Sequence, residues 1–191
     1  LVDIGLSTEE SDDKMKIRTL VESLSDKALG NILAKRSLPE ALELQESFGA
    51  LFESLQLESV QQKLGTFVDE TTQVLENTYD RLEKLTSVAI TRDTESLIAK
   101  EFSRGLELAP NDSGFSKIKR RIYDSFLEQS QEARLKSEWE RAEHLAVTGA
   151  QYASDAQEKT RANSLVATIN SEKQLNDELA AEQLTEQRLS S

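Results

Sequence analysis

Residues 115–191 read FSKIKRRIYDSFLEQSQEARLKSEWERAEHLAVTGAQYASDAQEKTRANSLVATINSEKQLNDELAAEQLTEQRLSS. This stretch contains no proline and a single glycine, Gly149. Its apolar residues recur at steps of three and four, the spacing of a helix with one buried stripe. The stretch therefore predicts one very long helix, roughly 110 Å if unbroken, or two helices hinged near Val147-Thr148-Gly149-Ala150. The predicted stripe consists of Phe115, Ile118, Ile122, Phe126, Leu135, Trp139, Ala142, Leu145, Ala146, Tyr152, Ala153, Ala156, Ala162, Leu165, Val166, Ile169, Leu175 and Leu179.

A second helical pattern lies near the N-terminus. It follows the acidic run of residues 7–13, which suits the first turn of a helix because carboxylates favour the positive end of the helix dipole. We expect the helix to end by Ser25-Asp26 and a loop with a short turn to cover residues 29–38. Proline fits the first position of a helix, so Pro39 marks the entry to the next one, with Ser37 or Leu38 before it. The predicted buried stripe of the first helix is Ile17, Leu20, Val21 and Leu24.

A third helical pattern covers residues 41–90. It predicts either one rod or two helices with a turn near Leu57-Glu58-Ser59, because the apolar stripe changes phase there. Residues 91–94 indicate a turn and a helix cap. They precede a short helix that we expect to end near Gly105, and residues 109–114 are typical of a loop.

These patterns predict an all-α protein. Only 7 glycines and 2 prolines punctuate the chain, and 37% hydrophobic residues suit helices with narrow stripes better than a doubly covered sheet. We expect an elongated bundle of about three long helices with a small helical insert at residues 91–113. The whole of residues 1–191 is predicted to form a single helical domain.

Charge and composition exclude several classes of function. The net charge of −12 disfavours nucleic acid and anionic membrane surfaces as partners. The absence of cysteine excludes thiolate catalysis and cysteine-bound metals. No apolar run approaches the about 20 residues that cross a bilayer, so no membrane span is expected.

No pattern of catalytic residues is visible. The only histidine, His144, would have to serve any metal site or Ser-His-Asp arrangement, and no nucleophile elbow or glycine-rich phosphate loop accompanies it. Its metal-binding companions would be Glu138 and Glu140, which lie on differing helical faces. We expect His144 to be a surface or interface residue, and we expect no enzymatic activity, no cofactor and no metal.

One basic cluster stands out in this acidic chain. Lys117, Lys119, Arg120 and Arg121 fall in the first turns of the C-terminal helical stretch, where positive charge opposes the helix dipole at about 0.3–1 kcal/mol per exposed residue. The cluster is either simply solvated or a contact patch for acidic groups. The acidic run of residues 7–13 is the candidate within the chain, and another subunit is the candidate outside it.

Two segments resemble the VirB5/TraC family, the minor pilus subunits of bacterial type IV secretion systems. Tyr152-Ala153-Ser154-Asp155-Ala156-Gln157-Glu158-Lys159, with Asn170-Ser171-Glu172 and Asn176-Asp177-Glu178-Leu179, is similar to the closing helix of that family. Residues 24–33 with Leu38-Pro39 resemble its glycine-containing turn and Leu-Pro step. The family's start motif is represented only by Val2-Asp3, and the cysteine pair of some relatives is missing.

The resemblance implies a non-enzymatic helical protein of the periplasm or the extracellular pilus, with its signal peptide removed. Such a protein acts in pilus assembly or recipient-cell contact. Its partners would be other pilus or secretion-system subunits, or a molecule of the recipient-cell surface. The alternative is a cytosolic helical adaptor or chaperone that binds a protein partner along exposed helix faces. A signal peptide encoded upstream of Leu1 would distinguish the two.

Overall fold

The described part of the chain forms seven α-helices: α1 (Val2–Lys35), α2 (Leu38–Ser54), α3 (Glu58–Thr86), α4 (Arg92–Leu108), α5 (Ser113–Leu135), α6 (Trp139–Ala150) and α7 (Ala156–Leu189). They are seen in a computed structural model that describes residues 2–35, 37–110 and 112–189, with the side chains of residues 2–11 outside the description. No strand occurs in those ranges, so the all-α prediction is confirmed. The three longest helices are α1 and α7, of 34 residues each, and α3, of 29.

Two predicted helix boundaries are confirmed by their capping contacts. Ser37 caps α2 by accepting a hydrogen bond from the Glu40 amide, and Pro39 stands in the first turn. At the start of α4, the hydroxyl of Thr91 accepts a hydrogen bond from the Thr94 amide at 3.3 Å. Both caps use residue types that favour helix starts, which is why the sequence could place them.

The two-helix alternative for residues 41–90 is the correct one. The turn lies at residues 55–57, close to its predicted place. There Gln56 adopts a left-handed φ of 55° and the Leu57 amide donates to the Phe52 carbonyl at 2.9 Å. This closure of a helix C-terminus satisfies carbonyls that would otherwise lack partners.

The prediction that the first helix ends by Ser25-Asp26 is wrong. Helix α1 continues through Gly30 to Lys35, and the residues that it buries are Ser25, Leu29 and Ile32. Tertiary packing of this face outweighs the about 1 kcal/mol that a glycine costs inside a helix. Because α1 begins at Val2, the acidic run of residues 7–13 lies beyond its first turn, not within it.

The C-terminal stretch is not one helix, and the break expected near Val147-Thr148-Gly149-Ala150 is one of two, since α6 ends at Ala150. It forms three helices, α5, α6 and α7. The first break follows Leu135, where Ser137 has a φ of 59° and the Glu138 amide donates to the Ala133 carbonyl at 2.9 Å. The second lies at residues 151–155. Gly149 itself is buried inside α6.

Contacts divide the described chain into two compact units. Unit 1 comprises residues 2–77 and 104–110, and unit 2 comprises residues 78–103 and 112–189. The division therefore falls inside α3 and inside α4. The small insert at residues 91–113 stays a prediction, because the division between the units runs through α4, the helix of that segment, and α4 ends at Leu108 rather than near Gly105.

Unit 1 has a small core between α1, α2 and α3. Its buried members come from the three helices and the turn before α3: Leu29, Ile32, Ala41, Phe52, Leu57, Val60 and Leu64. Two polar contacts join the same helices. The Arg18 guanidinium donates to the Gln56 carbonyl at 3.3 Å, and Lys63 lies 3.5 Å from Asp26.

Unit 2 contains the larger core, between α5, α6, α7 and the parts of α3 and α4 that belong to it. Most of the predicted C-terminal stripe is buried here, including Ile122, Phe126 and Ile169. Leu135, Ala156, Leu175 and Leu179 are exposed, so the stripe was wrong at those positions. Five aromatic rings contact one another in series, with centroids 5.0 to 5.8 Å apart: Tyr79, Phe115, Phe102, Tyr152 and Phe126.

Candidate protein-contact site

The predicted basic cluster lies on the first three turns of α5, in unit 2. Its position is set by Asp112, whose carboxylate accepts hydrogen bonds from the Gly114 amide at 2.7 Å and from the Tyr79 hydroxyl at 2.5 Å. The anionic cap offsets part of the unfavourable interaction between the basic residues and the helix dipole. The buried residues Phe115, Ile118 and Ile122 hold the opposite face of the helix against the core.

The two arginines of the cluster already have partners within unit 2. The Arg121 guanidinium forms an ion pair with the Glu83 carboxylate of α3. Arg120 lies 3.9 Å from Asp124, one turn further along α5. Their charge is therefore largely compensated inside the protein.

The two lysines differ from the arginines. Lys117 is exposed and Lys119 is half-buried, and neither forms an ion pair with any residue that the structure describes. Of the four predicted residues, the two arginines form ion pairs within unit 2, and the two lysines form none with a described residue. We call Lys117 and Lys119 the lysine pair.

The acidic run of residues 7–13 is only partly described. The side chains of residues 7–11 lie outside the description, so their predicted pairing with the basic cluster stays a prediction. Asp13 forms an ion pair with Lys16 within α1 at 3.4 Å, with both side chains more than two-thirds exposed. Exposed pairs of this kind contribute about 0–1 kcal/mol to stability.

His144 lies in a groove of about 500 Å³ between the N-terminal part of α4 and α6. Its Nε2 atom is 2.7 Å from the Glu95 carboxylate, and the Thr148 hydroxyl donates to the other oxygen of Glu95 at 3.3 Å. Burial, and after it the negative charge of the same carboxylate, raises the pKa of the Tyr152 hydroxyl. These contacts connect α4 with α6 through one carboxylate.

The groove residues compensate one another. Arg141 pairs with Glu138 at 2.8 Å, and Glu140 pairs with Lys173 of α7 at 2.8 Å. The hydrogen bond from Lys173 lowers the pKa of the Glu140 carboxyl. Among the described residues no group of three or more acidic or histidine side chains is placed to hold a metal ion. The arrangement suits a structural link between helices.

Unit 1 contains a groove that the sequence patterns missed. It has a volume of about 540 Å³ and mixes apolar side chains with charges of both signs. No sequence motif marks it, because its walls come from three helices that are distant in sequence. The lining residues are Leu33, Lys35, Phe67, Glu70, Thr71, Val74, Arg104, Glu107 and Leu108.

Two exposed apolar surfaces were also missed, because their residues were predicted to be core. They consist of Ile17, Leu20 and Leu24 on α1 and of Leu175 and Leu179 on α7. Within the described ranges, no helix is apolar over a length that could cross a bilayer. Exposed apolar residues grouped on a helix face are typical of contact with another protein.

The chain was compared with protein-family models, with curated proteins and with solved structures, and nothing matches it. The resemblance to the VirB5/TraC family therefore stays a prediction.

Proposed function

We propose that this protein is a non-enzymatic minor component of a type IV secretion pilus, exported from the cytoplasm and active through protein contacts. The resemblance of residues 24–39 and 152–179 to the VirB5/TraC family supports the proposal. The proposal includes an elongated bundle of about three long helices, for which α1, α3 and α7 are the candidates.

The observation that carries the proposal is the lysine pair. Lys117 and Lys119 flank the buried Ile118 on α5, and neither has an acidic partner among the described residues, in a chain of net charge −12. Unpaired positive charge at the start of a helix is unfavourable by about 0.3–1 kcal/mol per residue. An acidic surface on another pilus or secretion-system subunit would compensate it and would accelerate association at low ionic strength.

The experiment replaces the native gene in its host with one that encodes Lys117→Glu/Lys119→Glu. Surface appendages are sheared from the cells, and the protein in the sheared fraction is measured by immunoblot. We expect the parent protein in that fraction and a several-fold loss in the variant. Lys100→Glu/Lys159→Glu is the matched control, because it changes the charge equally at two exposed lysines of unit 2.

Two results would count against the proposal. A parent protein that stays in the cytosol would favour the adaptor alternative, which the exposed leucines of α7 also support. A lysine variant that matches the control would remove the lysine pair from the contact surface. Arg121 is left unchanged because its ion pair with Glu83 joins two helices of unit 2.

A further inference from the structure

Helix α1 carries an apolar stripe that the described protein does not cover. Ile17, Leu20 and Leu24 are 53%, 61% and 59% exposed, although a helix of a folded protein normally turns such a stripe toward a core. The core face of α1, formed by Ser25, Leu29 and Ile32, is a different face of the helix. Helix α1 is therefore apolar on two sides, and only one of them is packed.

The exposed stripe has charged ends. Asp13, Ile17, Leu20, Leu24 and Lys27 follow one another at steps of four, three, four and three, which is the spacing of a seam between two paired helices. All five side chains are exposed. We call this row of residues the α1 seam. Its N-terminal end is the carboxylate of Asp13, an exposed group that Lys16 also approaches at 3.4 Å, its centre is apolar and its C-terminal end is basic.

This order of charges makes the α1 seam complementary to itself. If two copies align antiparallel about a two-fold axis near Leu20, Asp13 of each copy faces Lys27 of the partner subunit. Ile17 then faces Leu24 of the partner subunit, and the two Leu20 side chains meet at the axis. An isologous contact requires one patch to complement itself in this way.

The exposed face of α7 provides a contrast. Leu175, Leu179, Glu182, Glu186 and Leu189 have the same spacing, but the two glutamates occupy the middle of the row. Pairing two copies of this row would oppose carboxylates to carboxylates, which is unfavourable. Of these two exposed faces, the α1 seam is the one that fits a second copy of the same chain.

We propose that the α1 seam is a self-association surface, on which a second copy of this chain binds antiparallel. The segment from Asp13 to Lys27 is about 21 Å long, and a helix is about 10 Å wide. A footprint of this size falls below the about 1,200–2,000 Å² of standard stable interfaces, so the dimer is weak and depends on concentration. The inference does not rest on the pilus proposal, since it uses no residue of the α5 cluster.

Charge substitutions test the complementarity by sedimentation equilibrium at low salt. Asp13→Lys and Lys27→Asp should each weaken self-association about tenfold, because two ion pairs become two repulsive contacts. An equimolar mixture of the two variants should recover the parent affinity as a heterodimer, since each variant then meets opposite charge. Leu20→Asp should abolish the dimer, whereas Leu179→Asp, at an equally exposed leucine of α7, should leave it unchanged.

Cysteine substitutions test the orientation, because the chain contains no cysteine of its own. In the antiparallel pair, position 20 meets itself at the two-fold axis, so Leu20→Cys should form a disulfide-linked dimer rapidly. Ile17→Cys alone should not, because its two copies are separated by about 10 Å along the axis and a disulfide needs Cα atoms within about 7 Å. Mixing Ile17→Cys with Leu24→Cys should restore the cross-link.

The outcomes separate clearly once circular dichroism has shown that each variant keeps its helix content. Recovery in the charge mixture together with cross-linking at position 20 supports the proposal. A parent chain that is monomeric at several hundred micromolar overturns it, and so does a dimer that is insensitive to Leu20→Asp. Rapid cross-linking of Ile17→Cys alone overturns the antiparallel arrangement.

Discussion

At the scale of single residues, Gly149 shows how a glycine can be a packing residue rather than a breaker. A Cβ atom at this position would lie 2.8 Å from Leu127 Cδ1 and 2.9 Å from Phe126 Cβ. The sequence suggested a hinge here because glycine is rare in helix interiors. It could not reveal that α5 approaches α6 closely at this point, since that approach depends on residues more than 20 positions away.

Gly149→Ala should therefore destabilise unit 2. We expect the free energy of unfolding in urea to fall by about 1–3 kcal/mol, the typical cost of overpacking. Gly30→Ala is the control, because no atom lies within 4 Å of the added Cβ and the position is inside α1. This control should raise stability by about 0.5–1 kcal/mol through helix propensity. Equal effects of the two substitutions would contradict the packing explanation.

At the scale of elements, the ends of α2 and α5 share one conformation. Gln56 and Ser137 both adopt a left-handed φ, and in each case the next residue's amide donates to a carbonyl five positions back. Glycine is the usual residue at such a position because it lacks the Cβ that makes this conformation unfavourable. Here the sequence holds glutamine and serine, so the end of α5 was not recognised as a break.

Gln56→Gly and Ser137→Gly should each stabilise the protein. Relief of the left-handed backbone outweighs the added freedom of the unfolded chain, so we expect a gain of about 0.5–1 kcal/mol in chemical denaturation. Ser59→Gly, at an exposed position of ordinary helical conformation in α3, serves as the control. It should lower stability by a similar amount, and a gain at this control would exclude the conformational explanation.

Helix starts were easier to predict than helix ends or packing partners. Ser37 with Pro39 and the cap at Thr91 act on their own neighbours, so a local pattern suffices. The start of α7 has a signal of this kind that was missed. Asp155 accepts a hydrogen bond from the Glu158 amide at 2.8 Å, and the Glu158 carboxylate accepts one from the Ser154 amide at 2.6 Å.

At the scale of the whole molecule, composition was enough to predict the helical class but not the arrangement. An apolar stripe indicates which side of a helix avoids water, not which surface covers it. On α1 the stripe of Ile17, Leu20 and Leu24 was predicted to be core, and the structure packs the face of Leu29 and Ile32 instead. The basic cluster was found by its charge alone, but the division between paired arginines and unpaired lysines depends on Glu83, 38 residues from Arg121.

The three tyrosines make unit 2 sensitive to alkaline pH. Burial raises the pKa of Tyr79, Tyr123 and Tyr152 above 10.0, and at Tyr79 the hydrogen bond to Asp112 raises it further. The unfolded chain releases these protons near pH 10, whereas the folded protein retains them. Their stabilising contribution is therefore fully present below pH 10 and is lost as the pH rises toward the folded pKa values.

We expect the urea midpoint of unit 2 to fall steadily above pH 10. Tyr79→Phe should reduce this alkaline decrease, because the phenol with the hydrogen bond to Asp112 no longer titrates. At neutral pH the same variant should lose about 1–3 kcal/mol, since the part-buried Asp112 carboxylate loses one of its two donors. If the alkaline decrease is identical in parent and variant, Tyr79 is not its source.

The distribution of the aromatic residues determines which unit intrinsic fluorescence reports. Trp139 and all three tyrosines belong to unit 2, whereas the aromatic residues of unit 1 are Phe48, Phe52 and Phe67. Phenylalanine contributes almost nothing to emission excited on the red side of the aromatic band. Intrinsic fluorescence therefore follows unit 2 alone, while far-ultraviolet dichroism follows the backbone of both units. A difference between the fluorescence and dichroism unfolding transitions therefore reports the unfolding of unit 1.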